Sequence, residues 1–289
     1  MIENLHIELT NRCALKCIEC PRTKLGVGKS VDITTEAWPN LSLDKFKSIL
    51  MCGTFGDAIY HPNITEFFKY VSSTNPDIRL NFSTNGNHKS ESWWSELSSI
   101  LPAKHRIIFA LDGVDDETLN KYRVGSNYDN VINNMRIFIN NGGTAVWQFI
   151  LFKHNENQVD EAKMLSDEYG CEHFHLRSSY SYGRDVERPS RKVKTCSELS
   201  YASTGPVICR INNNKEIFVD AHGNVIPCCF ITEENVKDKL VGNLSFNINN
   251  VTLDEVCSEW YLKRITENAK DNIYCNRRCK VPIERLFLS

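Results

Sequence analysis

Cys13, Cys17 and Cys20 follow a C-x3-C-x2-C spacing within Asn11-Arg12-Cys13-Ala14-Leu15-Lys16-Cys17-Ile18-Glu19-Cys20-Pro21. Thiolates are soft ligands that suit zinc or iron–sulfur clusters, and three on one short loop can hold three irons of a cubane. No further cysteine or histidine follows before Cys52. The fourth iron would then lack a nearby protein ligand, and an open coordination position is where an outside molecule binds a metal. The competing readings are a zinc site with a distant fourth ligand and three unconnected cysteines.

A second group lies in the last third, where seven of the chain's 12 cysteines fall. Cys209 and Cys228 are separated as C-x13-G-x4-C around Gly223, and Cys275-Asn276-Arg277-Arg278-Cys279 supplies two more thiols from one loop. Four thiolates from two segments suit a fully ligated cubane or a zinc site. Cys196, Cys229 and Cys257 are alternative ligands or inert, Cys257 reading as packing on a helix. Cys52 and Cys171 stand singly beside apolar neighbours and read as small hydrophobes. The opening Met1-Ile2-Glu3-Asn4 carries no basic, apolar signal segment. A reducing cytoplasm is expected, which leaves disulfides a poor explanation for so many cysteines, and no separate N-terminal recognition domain is expected.

These residues need a frame. Strands are predicted at Leu5 to Leu9, Ile49 to Cys52, Ile78 to Phe82, Ile107 to Leu111, Val146 to Phe152 and Cys171 to Leu176. Between them helices are predicted at Leu43 to Leu50, opened by Ser42, then at Ile64 to Val71, Trp93 to Leu101, Val131 to Ile139 and Gln158 to Tyr169. Strands alternating with helices mean βαβ units and a parallel sheet. About 180 residues is short of a full eight-unit barrel, which typically needs about 250, so a six-unit partial barrel fits. The cysteine loop follows the first strand, at the carboxyl end where α/β proteins place their sites.

After Arg177 the texture changes. Gly183 to Lys194 holds five basic and two acidic residues and one proline, and reads as a linker. The expected organisation is a barrel over 1–182, a linker over 183–195 and a small cysteine-rich domain over 196–289. The last should hold a hairpin, Ile217 to Val219 and Val225 to Ile226 around Ala221-His222-Gly223-Asn224, and a helix from Leu253 to Ile265. The 289 residues carry 34 basic and 36 acidic side chains, a net charge of −2. That argues against a broad nucleic-acid surface, and no apolar run reaches membrane-spanning length.

Shorter motifs follow successive strands. Gly53-Thr54-Phe55-Gly56-Asp57 combines glycines, which let a backbone approach a ligand, with a carboxylate that can accept from an ammonium. Ser83-Thr84-Asn85-Gly86 ends the third strand, and Asp112-Gly113 ends the fourth, with Arg123 beyond it. An arginine fork matches a carboxylate. Gln148 is a polar residue in an otherwise apolar strand. His61, His105, His154, His173 and His175 lack metal spacing and read as structural, with His175, on the sixth strand, also a pocket candidate.

The cysteine triplet, with these motifs in this order, resembles the radical S-adenosylmethionine (SAM) superfamily, over essentially the whole chain. The resemblance implies a partial (β/α)6 TIM-like barrel and a [4Fe-4S] cluster on Cys13, Cys17 and Cys20, with SAM on the unique iron. It also implies reductive cleavage of SAM to a 5′-deoxyadenosyl radical, which takes hydrogen from a substrate. Gly53, Gly56, Asp57, Ser83, Asn85, Arg123 and Gln148 are the SAM-binding positions it implies. Asp57 stands where relatives have Glu, Ala58 where Pro often follows, and Ala110 where a serine often stands. Glu19 replaces the aromatic residue that often precedes the third cysteine.

The C-terminal pattern is similar to the SPASM/twitch auxiliary domains of that superfamily, which implies a second [4Fe-4S] cluster on Cys209, Cys228, Cys275 and Cys279. The longer run of a two-cluster SPASM domain is absent, so one auxiliary cluster is expected. The implied substrate is a peptide or protein side chain, with a small-molecule dehydrogenase as the alternative. The implied electron source is an external donor such as flavodoxin or ferredoxin. A non-catalytic iron–sulfur carrier or regulator is the reading from another class.

Overall fold

The computed structural model describes residues 2–179, 182, 183, 186–190, 214–229, 246–257, 263, 267 and 275. Their order is β1 (Asn4–Ile7), α1 (Pro21–Leu25), β2 (Ser48–Met51), α2 (Ile64–Thr74), β3 (Arg79–Thr84), α3 (Glu91–Ile100) and β4 (Arg106–Ala110). Then come α4 (Asp116–Asn120), α5 (Tyr128–Asn140), β5 (Ala145–Leu151), α6 (Val159–Glu168), β6 (His173–Ser178), β7 (Glu216–Val219), β8 (Asn224–Ile226), β9 (Phe246–Asn247) and α7 (Leu253–Val256). The architecture is an open, mostly parallel α/β arrangement, the class expected of a partial barrel. The chain divides into two compact units.

One unit comprises Leu9–Asp32 and Met51–Glu198. In it β3, β4, β5 and β6 pair in sequence order, all parallel. Parallel neighbours need crossover helices, and α3, α5 and α6 supply them. The helices bury one apolar face each: Ile64, Phe67, Phe68 and Val71 on α2, and Val131, Met135 and Phe138 on α5. Ser90 caps α3 by accepting from Trp93 N–H, and Asn127 caps α5 by accepting from Asn130 N–H. Such caps satisfy donors that the helix itself leaves unpaired. Trp94, at the centre of this core, is fully buried and its indole N–H donates to the His88 carbonyl at 3.1 Å. Val186 is buried, and Lys153 pairs with Glu187 at 2.6 Å, so this part of the expected linker packs on the same unit.

The other unit comprises Met1–Glu8, Ile33–Leu50 and Leu199–Ser289. Here β1 pairs parallel with β7, and the expected hairpin forms as β7 and β8, antiparallel, with β9 beyond. Thr252 and Glu255 form a reciprocal capping box at the start of α7.

The helix expected from Leu253 to Ile265 is described only as the short α7, capped at Cys257, and one further element differs in kind from its reading. Leu43 to Leu50 is not a helix: a single 3-10 turn at Leu43–Lys45 is followed by strand β2. Ser42 adopts a left-handed conformation (φ 48°) rather than an N-cap's extended one. The apolar spacing at Ile49 and Met51 then runs at period two, burying both.

Candidate metal and cofactor site

The cysteine loop leaves β1 and is held at several points within the α/β unit. Asn11 spans its base: its Nδ2 donates to the Lys29 carbonyl at 3.1 Å and its Oδ1 accepts from Val31 N–H at 2.8 Å. Lys16 N–H donates to the Val124 carbonyl at 2.9 Å, and Ile18 N–H to the Tyr122 carbonyl at 3.1 Å. Asp57 N–H donates to the Arg12 carbonyl at 2.9 Å, and the Arg22 guanidinium bonds the Asn11 carbonyl. Arg12 and Asp32 form a two-pronged pair alongside. A loop bound along its backbone in this way presents its thiols in a preset arrangement.

The approach of the second motif explains one glycine. A Cβ on Gly56 would lie 2.0 Å from the Thr10 carbonyl oxygen, so only glycine lets this turn lie against the base of the cysteine loop. Gly86 has φ +71°, and a Cβ there would meet Phe109 and Val131 at 2.9 Å. That turn ends β3 and sets the direction of Asn85.

The three cysteines line one cavity of about 190 Å³. Gly53, Gly56, Asp57, Ser83, Asn85, Arg123 and Gln148 line the same cavity, so every residue expected at the first site converges there. Among the described residues, no three His, Cys, Asp or Glu side chains close around a single point. The thiols instead share the wall of a space. A donor set of three thiols fits an iron–sulfur cluster, for which thiolate is the usual protein ligand.

Burial pushes the Cys13 thiol up to about 12, with the charge of Asp57 adding to the effect. It pushes Cys17 up to about 11, against the pull of Arg123. Without a metal both thiols are protonated at neutral pH, so metal binding must release protons.

Asp57 is buried. Its Oδ1 accepts from Ile59 N–H at 3.1 Å, and its Oδ2 accepts from Thr84 Oγ1 at 3.1 Å and Asn85 N–H at 2.7 Å. Burial raises its pKa to about 6 against the effect of these donors. A carboxylate has about four acceptor positions, and three are taken by the chain itself.

Arg123 Nε donates to Asp112 Oδ2 at 2.6 Å, with both side chains nearly or wholly buried. Burial opposes the Arg123 charge, but Asp112, Cys17 and Tyr122 together outweigh it, so Arg123 titrates above its ordinary value. Asp112 is fixed in turn by Ile150 N–H, 2.6 Å from its Oδ1. On β5, Gln148 lines the cavity while its Oε1 accepts from Arg177 at 3.1 Å. Ala110, directly across the strand pair from Gln148, lines the cavity as well. The side chain of Glu19 is largely buried and pairs with Lys24.

Several cavity residues escaped the sequence reading. Cys52 is exposed and lines the same cavity, where packing against apolar neighbours was expected. Its place just after β2, at a strand's carboxyl end, was the available signal. Arg22 also lines the wall. Outside the cavity lining, Tyr60 carries no motif yet lies close to the Asn85 side chain and the Ala14 backbone. His61 and His105 prove structural: each is buried, with Nδ1 accepting a backbone N–H, from Asn63 and Leu80 respectively.

In the other unit Cys228 and Cys229 pack against Phe218, Ile226 and Cys275, which are buried together. Two of the four expected auxiliary ligands, Cys228 and Cys275, therefore share one small cluster. Cys209, Cys279 and the alternative Cys196 lie outside the described residues.

Comparison with known proteins decides the family. The family model described as the radical SAM superfamily matches residues 7–167, more than half of the chain. The chain belongs to the radical SAM superfamily. It is therefore an enzyme of that superfamily, and the matched span contains the cysteine loop and every cavity residue named above. No curated protein matched its sequence. Among solved structures, SuiB of Streptococcus suis bound to S-adenosylmethionine is similar to this radical SAM chain with a TM-score of 0.68 at 14% identity. The match covers 97% of this chain and 72% of SuiB. Native anSMEcpe with bound AdoMet aligns with a TM-score of 0.62 at 17% identity, over 95% of this chain and 87% of the other. BtrN in complex with AdoMet and 2-DOIA aligns with a TM-score of 0.54 at 13% identity, over 98% and 94%. At these identities the likeness is one of fold. No described helix is long and apolar enough to cross a membrane.

Proposed function

We propose that Cys13, Cys17 and Cys20 hold a [4Fe-4S] cluster whose fourth iron binds SAM, and that the protein modifies a peptide or protein side chain. The observation that carries this reading is the shared cavity: three thiols and seven SAM-type positions, drawn from separate loops, line one space. When bound, the cluster and SAM together supply one-electron cleavage of SAM to methionine and a 5′-deoxyadenosyl radical that takes hydrogen from substrate. The chain's own residues bind and orient. Arg123 keeps further N–H groups beyond the one given to Asp112, and these suit the SAM carboxylate. Asp57 offers negative charge and one remaining acceptor position to the ammonium. Gly53 and Gly56 line the cavity, and Ser83, Asn85 and Gln148 offer polar contacts there.

The peptide reading draws support from relatives in fold. SuiB has been solved bound to the precursor peptide SuiA, and anSMEcpe with AdoMet and the Cp18Cys peptide. BtrN, bound to 2-DOIA, favours the second reading, a small-molecule substrate, because it matches this chain over nearly the full length of both. An auxiliary [4Fe-4S] cluster on Cys209, Cys228, Cys275 and Cys279 belongs to the proposal, supported by the packing of Cys228 near Cys275. The electron source is an external one-electron donor such as flavodoxin or ferredoxin.

The test is anaerobic reconstitution with iron and sulfide, followed by SAM and a reductant. Formation of 5′-deoxyadenosine is expected, and its absence from cluster-loaded protein would overturn the reading. Deuterium passing from a labelled peptide into 5′-deoxyadenosine separates peptide from small-molecule chemistry.

A further inference from the structure

Asn85 follows β3 directly and is fixed more firmly than a contact to a diffusible ligand requires. Its side-chain Nδ2 lies 3.6 Å from Cys13 Sγ, within hydrogen-bonding reach of sulfur. A second bond settles which end of the amide faces that sulfur. The backbone N–H of Asn87 donates to Asn85 Oδ1 at 3.0 Å. A backbone N–H can only donate, so the amide oxygen must lie there and the NH2 group is turned to the sulfur. The backbone N–H of Asn85 is itself held by buried Asp57 at 2.7 Å. Asn85 is 5% exposed.

We propose that the Asn85 amide is a built-in donor to the Cys13 thiolate, and that it raises the reduction potential of the cluster held there. This rests on the cluster reading above. On reduction the cluster gains one electron from the external donor, no bond forms or breaks, and negative charge builds on its sulfurs. An N–H dipole aimed at one of those sulfurs stabilises the reduced state more than the oxidised one. Hydrogen bonds to sulfur are among the terms that set such potentials, and a buried, low-dielectric setting strengthens them. Asn85 in this role is a positioning residue that acts through Cys13.

The experiment is an EPR-monitored redox titration of the reconstituted full chain, unaltered and as Asn85→Ala and Asn85→Asp. Both variants keep the backbone bond to Asp57 and lose the donor; Asn85→Asp also adds an opposing charge. At the potential that half-reduces the unaltered protein, Asn85→Ala is expected to show about a tenfold lower ratio of reduced to oxidised cluster. For one electron that is a midpoint about 59 mV more negative. Asn85→Asp is expected to fall further. Unchanged midpoints in both variants would overturn the proposal. Failure of the unaltered protein to load any cluster would instead sink the functional reading. If neither variant takes up iron, the unaltered protein labelled with side-chain ¹⁵N-asparagine decides. Nitrogen coupling in the ENDOR spectrum of the reduced cluster supports the amide–sulfur contact, and its absence refutes it.

Discussion

The two groups of cysteines sit in opposite surroundings. Cys13, Cys17 and Cys20 share a cavity wall with Asp57, Asn85, Arg123 and Gln148. Cys228, Cys229 and Cys275 gather around Phe218 and Ile226. Thiols beside charged and amide groups in an open cavity suit a metal group that must also receive a charged ligand. Thiols packed on apolar side chains suit a group that is closed off and stays put. On the proposed reading, chemistry belongs to the first site and support or electron passage to the second.

The sharpest way to break this comparison is to remove one thiol from each group. Cys17→Ala should abolish 5′-deoxyadenosine formation to background, because the open iron loses its frame. Cys228→Ala should lower the iron content while SAM cleavage persists, assayed in the same reconstituted preparations. Equal loss of cleavage from both variants would erase the distinction.

Next in size is the buried pair behind the first cavity. Asp112→Asn leaves the Arg123 charge without its partner, and removing one member of a buried ion pair costs about 3–5 kcal/mol. Urea unfolding should register that loss. A change within about 0.5 kcal/mol would mean that the pair is not a structural anchor.

A smaller effect tests the frame of the α/β unit alone. Burial, with the charge of Lys104, pushes His105 down to about 4, while its Nδ1 accepts the Leu80 N–H at 3.1 Å. The unfolded chain therefore takes up this proton more readily than the folded one. Stability from this group is complete above about pH 6.5 and is lost as pH falls toward 4, on the order of 3 kcal/mol in total. His105→Asn, which keeps an acceptor for Leu80, should flatten that part of the urea-stability profile between pH 6.5 and 5. A variant as pH-sensitive as the unaltered protein would contradict this.

The smallest expected effect concerns the fourth cysteine of the cavity. Cys52→Ser should leave iron content and SAM cleavage unchanged, since three thiols suffice. Loss of iron in that variant would make the first site a closed one and merge the two groups.

Much of the frame was legible in the sequence because its strands and helices bury regular patterns. Ile107 and Phe109 on β4 and the α5 face of Val131, Met135 and Phe138 lie buried where their spacing put them. The cysteine triplet and the strand-end motifs were legible because each stands at a carboxyl end, where parallel strands converge. Leu43 to Leu50 was misread as a helix because a left-handed serine and the start of a period-two strand carry an apolar density close to that of a helix. Cys52 and Tyr60 were missed for another reason. Their roles come from neighbours distant in sequence, namely the cysteine loop for Cys52 and Asn85 and Ala14 for Tyr60.

The central claim, that the first loop leaves one iron open for SAM, is tested most directly by adding SAM labelled with ¹⁵N at its amino group to the reduced, reconstituted protein. A ¹⁵N coupling in the ENDOR spectrum of its cluster is expected. A spectrum unaltered by SAM, with no nitrogen coupling, would contradict the account.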